Sequence, residues 1–327
     1  MFRTPSISFF VTRPPAQATT WKTMLQLETA GYKTLNDLRS RGEFPPEWTN
    51  IDELEQLTDR FMERFRAERF EVSKELGPGF VISELIDQTL RTNERENMDD
   101  ETKPGEERLE SVRALDRMNR MTFSYEHQCD LLMPLIEKLG HSSKTVGILE
   151  LASGSGGLAF ALAERAQKAG IEVRITASDI VPEMISEGNR LAREKNLPLS
   201  FRHLNAFDFE GIEPGSADLV VISQSLHHFT PGQLALMIAQ AKRHGASAFV
   251  GLDGFRSLLL IGGVPLVASL QGIGDFTLDG LTSARKFYSG IELDIIAAIA
   301  TGNETHRVTC SWPMTILHVP LKPPTGP

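Results

Sequence analysis

"ILELASGSGG", residues 148–157, decides how this chain is read. An apolar run closes on Glu150, and three glycines and two serines follow within six positions. A buried strand that opens into small residues lets a ligand approach its backbone, and a helix starting there offers unpaired N–H groups. The spacing is Ala/Gly-x-Gly-x-Gly through Ala152, Gly154 and Gly156, with Glu150 two residues ahead. No Lys-Ser or Lys-Thr follows, so the turn is not a P-loop, and alone it fits a dinucleotide, an adenosyl cofactor or a purely structural bend.

The surroundings narrow this. From about residue 145, short β-branched runs ("TVGILEL", "EVRITASD", "LSFRHLNA", "ADLVVIS", "SAFVGLD") alternate with helical segments such as "VPEMISEGNRLAREKN" and "PGQLALMIAQAKRHG". That alternation predicts βαβ units and a parallel sheet covered on both faces. "TGNETHRVTCSWPMTILHVP" has the two-residue alternation of a closing hairpin, with Cys310 and Trp312 expected to pack there. The predicted fold class is α/β: a Rossmann-like doubly wound sheet, mostly parallel, with a C-terminal antiparallel hairpin and an N-terminal helical extension.

Ligands of such sheets bind beyond the carboxyl ends of the strands, where strand order reverses, so strand ends carry the chemistry. Asp179 ends the second run and can accept both hydroxyls of a ribose; Ile180 follows it. Its bland alternative is a cap for the helix near Pro182. Asn205 and Ala206 close the third run, where an amide oxygen and a backbone N–H suit an adenine edge; Asp208 is the other acceptor in reach. The fourth run leads into Gln224, His227 and His228. Either imidazole is a candidate base, with Asp253 at the fifth strand end as a further polar group. No residue set reads as a metal site.

Together these residues resemble the class I S-adenosylmethionine-dependent methyltransferases over about residues 110–255. "MDD" at 98–100, "LDRMNRMTFSYEHQCDLL" at 115–132 and "LTSARKFYSGIEL" at 281–293 are further similar to small-molecule methyltransferases found beside type III polyketide synthases. The resemblance implies S-adenosylmethionine as cofactor and methyl transfer to a small apolar or aromatic acceptor in secondary metabolism. Glu150 would hold the methionine amino end, Ala152, Ser153, Gly154 and Gly156 would line the cofactor, and Asp179 would take the ribose. The helix holding Asn119, Arg120 and Tyr125 would close over the methionine end, with Arg120 a carboxylate partner. The chain has Ala152 where the family has Gly, tolerable if φ stays negative, and Asn205 where it has Asp. A macromolecular methyltransferase, a non-catalytic partner protein that keeps the fold, and an oxidoreductase are the competing readings.

Composition bounds the rest. With 327 residues, 41% hydrophobic and 24% charged, the chain reads as folded, and a net charge of −9 disfavours nucleic-acid and membrane partners. Cys129 and Cys310 are too few for a disulfide framework and read as buried, reduced thiols, hence a cytoplasmic setting. "LLLIGGVPLVASL" is too short to span a bilayer. Residues 1–20, free of acids, read as a disordered N-terminus, with organelle targeting as the alternative. Residues 21–100 read as a helical region open to self-association. Residues 101–327 read as the catalytic domain, with 255–290 as a lid over the acceptor and "YSGIEL" as a capping box through Ser289.

Overall fold

A computed structural model describes residues 22–99, 102, 105–140 and 145–322. The expected disordered stretch 1–20 lies outside them. Three helices lead the chain: α1 (Lys22–Ser40), α2 (Ile51–Leu76) and α3 (Pro78–Leu90). Asn50 caps α2 by accepting from the Asp52 N–H, and Gly77 closes it with φ 115°, beyond reach of a side-chain-bearing residue without strain. α4 (Gly105–Met121) and α5 (Ser124–Gly140) follow. Then come β1 (Val146–Leu151), α6 (Gly157–Ala169), β2 (Val173–Asp179), α7 (Pro182–Glu194), β3 (Leu199–His203), β4 (Leu219–Ser223), α8 (Pro231–Arg243) and β5 (Ala248–Gly254). The chain closes with α9 (Leu258–Ser269), α10 (Gly274–Lys286), α11 (Gly290–Thr301), β6 (Arg307–Ser311) and β7 (Met314–Pro320).

The seven strands among the described residues form one sheet in the order β3-β2-β1-β4-β5-β7-β6. β1 to β5 pair in parallel, and the β6–β7 hairpin adds antiparallel to β5. The doubly wound sheet with its closing hairpin is therefore as the alternation predicted. Strand order reverses between β1 and β4, which leaves a crevice at their carboxyl ends.

Period-two alternation builds two cores. Leu149, Leu151, Val220 and Ile222 face one side, against α1, α2, α8 and α11, while Val146, Ile148, Leu219 and Val221 face α5 and α6. The first core includes Leu35, Leu38, Phe61 and Phe65, so the N-terminal helices share a hydrophobic cluster with the sheet.

A buried ionic network joins the same parts. Arg69 on α2 pairs bidentately with Glu84 on α3 (2.7 and 2.9 Å), and Arg256 after β5 reaches Asp87 at 2.7 Å. Glu292 on α11 completes the Ser289 capping box and takes Arg66 and Arg91 at 2.8 and 3.0 Å. Burial alone would raise the Glu292 pKa, but Arg91, Arg66, Arg69 and Arg256 hold it well below the usual range. Ser289 has the structural role expected.

Two local expectations change. Cys129 is buried, but Cys310 lies half-buried on the edge strand β6. In the turn after β1, Ala152 has φ 48°, not the negative value that would spare it strain, and Gly154 and Gly156 share its left-handed conformation at 51° and 74°. The tight reversal from strand to helix demands this geometry at all three positions.

Two outcomes follow from these contacts. Glu292→Ala strands two arginines and breaks a cap, so the urea midpoint should fall by an amount equivalent to about 3–5 kcal/mol with an unchanged slope. Ala152→Gly should relieve about 1 kcal/mol of left-handed strain, partly offset by added freedom in the unfolded chain. Its melting temperature should stay level or rise; a clear fall would contradict the strain.

Candidate active site

The crevice between β1 and β4 holds a cavity of about 430 Å³. Its floor is Glu150, 4% exposed at the end of β1. The Glu150 Oε2 and the Ser153 Oγ are buried without a hydrogen-bond partner, which is costly unless a ligand supplies one. Burial pushes the Glu150 pKa up to about 8, further raised by the Asp179 charge and opposed by the Ala159 N–H. A cation brought against this carboxyl would offset the cost of its burial and favour its ionised form.

Asp179 ends β2 beside this floor. Its Oδ2 accepts the Gly154 N–H at 2.8 Å and its Oδ1 the Val181 N–H at 3.0 Å, so the carboxylate shapes the glycine turn and retains lone pairs for ligand hydroxyls. Ile180 and Ala206 line the cavity, as do Ala152, Ser153 and Gly154. Asn205 also lines it, but its Oδ1 accepts the Phe207 N–H at 3.0 Å, so a turn already engages the oxygen expected to read adenine. Gly156 does not line the cavity: it caps α6, and a Cβ there would come within 2.2 Å of the Phe201 ring.

The helix expected over the methionine end is two helices, broken at Thr122 and Phe123, where Phe123 takes φ 55°. Tyr125 on α5 does line the cavity, its hydroxyl donating to Asp116 Oδ1 at 3.0 Å. Arg120 does not: its side chain is 60% exposed and paired with Asp116 one helical turn back. That i,i+4 pairing satisfies the guanidinium on the surface. Gln128 closes this wall instead, accepting from the Ser223 Oγ at 2.8 Å.

A second cavity of about 360 Å³ opens beyond β4 and β5. Leu259, Val264 and Val267 of α9, Phe276 of α10, Phe287 and Met314 make it largely apolar. Trp312, expected to pack inside the hairpin, is 53% exposed at its edge and meets Phe255 at 6.4 Å. The two cavities share Met98, Leu115, Asn119, Gln224 and His228 as common walls.

His227 and His228 lie in a short 3-10 turn, 226–228, after β4. Asp253 ends β5, and its Oδ2 accepts from both the His227 backbone N–H (2.9 Å) and Nδ1 (2.8 Å). The carboxylate makes Nδ1 the protonated nitrogen and points Nε2 at the second cavity. Burial alone would lower the His227 pKa, but Asp253 and Glu96 outweigh it and raise it to about 10. Sequence reasoning missed Glu96 and Lys286. The Glu96 Oε1 is 3.4 Å from His227 Nε2 and 3.6 Å from Lys286 Nζ. Ligand atoms of Glu96, His227 and His228 lie within 4.8 Å of one another, a donor set of the kind metals use, but Lys286 already supplies a cation there. Neither residue carries a local signal, since Glu96 arrives from the segment after α3 and Lys286 from the end of α10.

Among the described residues, no helix is long and apolar enough to cross a membrane. Residues 148–247 match a family model described as a methyltransferase domain. No curated protein matches the chain. Of solved structures, the CMeT domain of the citrinin polyketide synthase is 14% identical, with a TM-score of 0.50 over 94% of this chain and 81% of that one. The plantazolicin methyltransferase BamL, bound to a desmethyl analogue and S-adenosylhomocysteine, is 14% identical, with a TM-score of 0.47 over 64% and 79%. The magnesium protoporphyrin IX methyltransferase of Synechocystis PCC 6803, with bound S-adenosylhomocysteine, is 15% identical, with a TM-score of 0.40 over 58% and 82%. The matched residues carry the glycine turn, Asp179, Asn205 and the histidine pair, so residues 148–247 are similar to a methyltransferase domain, and S-adenosylmethionine is the cofactor that likeness supports.

Proposed function

We propose that the protein transfers a methyl group to a small, apolar or aromatic acceptor bearing a hydroxyl, amine or acidic carbon, in secondary metabolism, with His227 as the base. The observation that carries this is the shared wall of the two cavities: the one floored by Glu150 and Asp179, suited to an adenosyl cofactor, meets a more apolar one at Gln224 and His228. When bound, S-adenosylmethionine supplies an already activated methyl on a sulfonium, so positioning and proton removal are what the chain must add.

Glu150 and Ser153, whose buried oxygens have no partner, would hold the methionine amine, and Asp179 the ribose hydroxyls. The apolar walls from α9 and α10 enclose the acceptor and exclude water. The His227 Nε2 would take the acceptor's proton, leaving the acceptor's electron pair free to accept the methyl group that the cofactor, when bound, would supply. Asp253 stabilises the imidazolium and fixes its orientation through two hydrogen bonds to one oxygen. His228, between the cavities, positions the two reactants.

Calorimetry with S-adenosylhomocysteine, followed by mass spectrometry of a phenol and amine panel, tests this reading. His227→Ala should lower the rate about 10²–10⁴-fold with cofactor affinity unchanged, and His228→Ala should lower it less. Neutral imidazole is the active form, so the wild-type rate should rise about tenfold per pH unit until it levels near pH 10. A pH-independent rate, or an undiminished His227→Ala variant, contradicts His227 as base. Glu150, protonated in the empty site below about pH 8, should release a proton when the amine binds, visible as a buffer-dependent binding enthalpy near neutrality. Glu150→Gln should abolish that release and weaken binding roughly ten- to hundredfold.

A further inference from the structure

Glu96 precedes the short turn 97–99 that follows the N-terminal helices, yet it is only 2% exposed and lines the acceptor cavity. Its place is set by α10. The Asn97 N–H and Nδ2 donate to Asp279 Oδ1 at 2.5 and 2.8 Å, and the Met98 N–H donates to Asp279 Oδ2 at 3.1 Å. Three hydrogen bonds to one buried carboxylate pin the segment across the cavity and aim the Glu96 side chain at the histidine pair.

The result puts one imidazole between two carboxylates. Asp253 holds His227 at Nδ1, and the Glu96 Oε1 stands 3.4 Å from Nε2 on the other side. Both facing atoms are buried and neither has a well-aligned partner. Two unpaired buried atoms cost free energy that a purely structural contact would not leave standing. The oblique approach has a chemical use: it keeps a negative charge 3.4 Å from Nε2 without engaging that nitrogen in a well-aligned hydrogen bond. Lys286 and His228, at 3.6 and 3.7 Å from the Glu96 carboxylate, keep that charge in place.

We propose that Glu96 is a positioning residue for methyl transfer, holding the His227 ring from the side opposite Asp253 and stabilising its charged form as the acceptor's proton arrives. The base is then complete only when the segment 94–98 is docked on α10, which makes the N-terminal region part of the catalytic centre. This rests on the reading of His227 as the base. The groups facing His227 and Glu96 are Asp253 on β5, His228 in its own turn, Lys286 and Asp279 on α10, and no pH readout can be assigned without them.

The test is a pH titration of the histidine ring resonances in the full chain saturated with S-adenosylhomocysteine, for wild type, Glu96→Gln and Glu96→Asp. The His227 midpoint should fall by about one unit or more in Glu96→Gln and recover in part in Glu96→Asp, with cofactor affinity unchanged within about twofold. A lowered melting temperature with an unmoved midpoint would make Glu96 a structural tether and overturn the proposal; if Glu96→Gln does not fold, the same criterion applies to Glu96→Asp. Stoichiometric binding of Zn²⁺ or Mn²⁺, lost in Glu96→Gln, would overturn it as well, by making the trio a metal site. The ring titration needs no turnover, so absence of methyl transfer in every assay would count against His227 as base, and an unmoved midpoint against Glu96.

Discussion

Everything in this molecule depends on the reversal of strand order between β1 and β4. Parallel neighbours send their crossover helices to opposite sides of that point, and the carboxyl ends of the two strands are left uncovered. The chain fills the gap with groups that no interior tolerates alone: a nearly fully buried carboxyl at Glu150, an unpartnered hydroxyl at Ser153, and an imidazole at His227. The two cores on either face of the sheet hold these groups in position, and the energetic cost of the unpaired atoms is the clearest physical mark of a binding site.

The fold was legible because period-two runs and helical spacings are local. "TVGILEL" and "ADLVVIS" became β1 and β4 within one or two residues, and the hairpin signal at 301–320 gave the antiparallel edge. The strand-end residues Glu150, Asp179, Gln224 and His227 were legible for the same reason, since each terminates a run. The details that failed depend on dihedral angles and neighbours. A sequence does not show that the turn forces φ to 48° at Ala152, nor that the Asp116–Arg120 pair, though legible as an i,i+4 spacing, leaves Arg120 on the surface rather than over the cavity. Trp312 looked like hairpin packing because apolar residues usually pack, yet it lies in the turn between β6 and β7, at the cavity's edge.

Glu96 was illegible for a stronger reason. In "TNEREN" it is one acid among polar residues, with nothing to separate it from Glu94 two positions earlier. Only the clamp of Asp279 on the following backbone turns Glu96 inward, while Glu94 stays at the surface and faces Arg285. A difference of two positions thus separates a solvated charge from one that stands 3.4 Å from the His227 ring, and the deciding contact lies more than 180 residues away along the chain.

That contact also explains why the N-terminal helices are built so firmly onto the domain. A carboxylate delivered to a base must arrive within a few tenths of an ångström, and a loosely tethered extension cannot do this. The ionic network of Arg69, Asp87, Arg256 and Glu292, together with the core shared by Phe61, Phe65 and Ile296, fixes α2 and α3 against the sheet a short distance before Glu96. A buried ionic network is weak evidence for stability as such, because desolvation offsets most of its attraction. What it supplies here is a single orientation: hydrophobic contact would let α3 slide, whereas a bidentate arginine pair and a doubly held Glu292 do not. The rigidity of the extension and the reach of Glu96 are therefore two parts of one requirement, that the apolar cavity be closed by a group placed as accurately as those on the sheet.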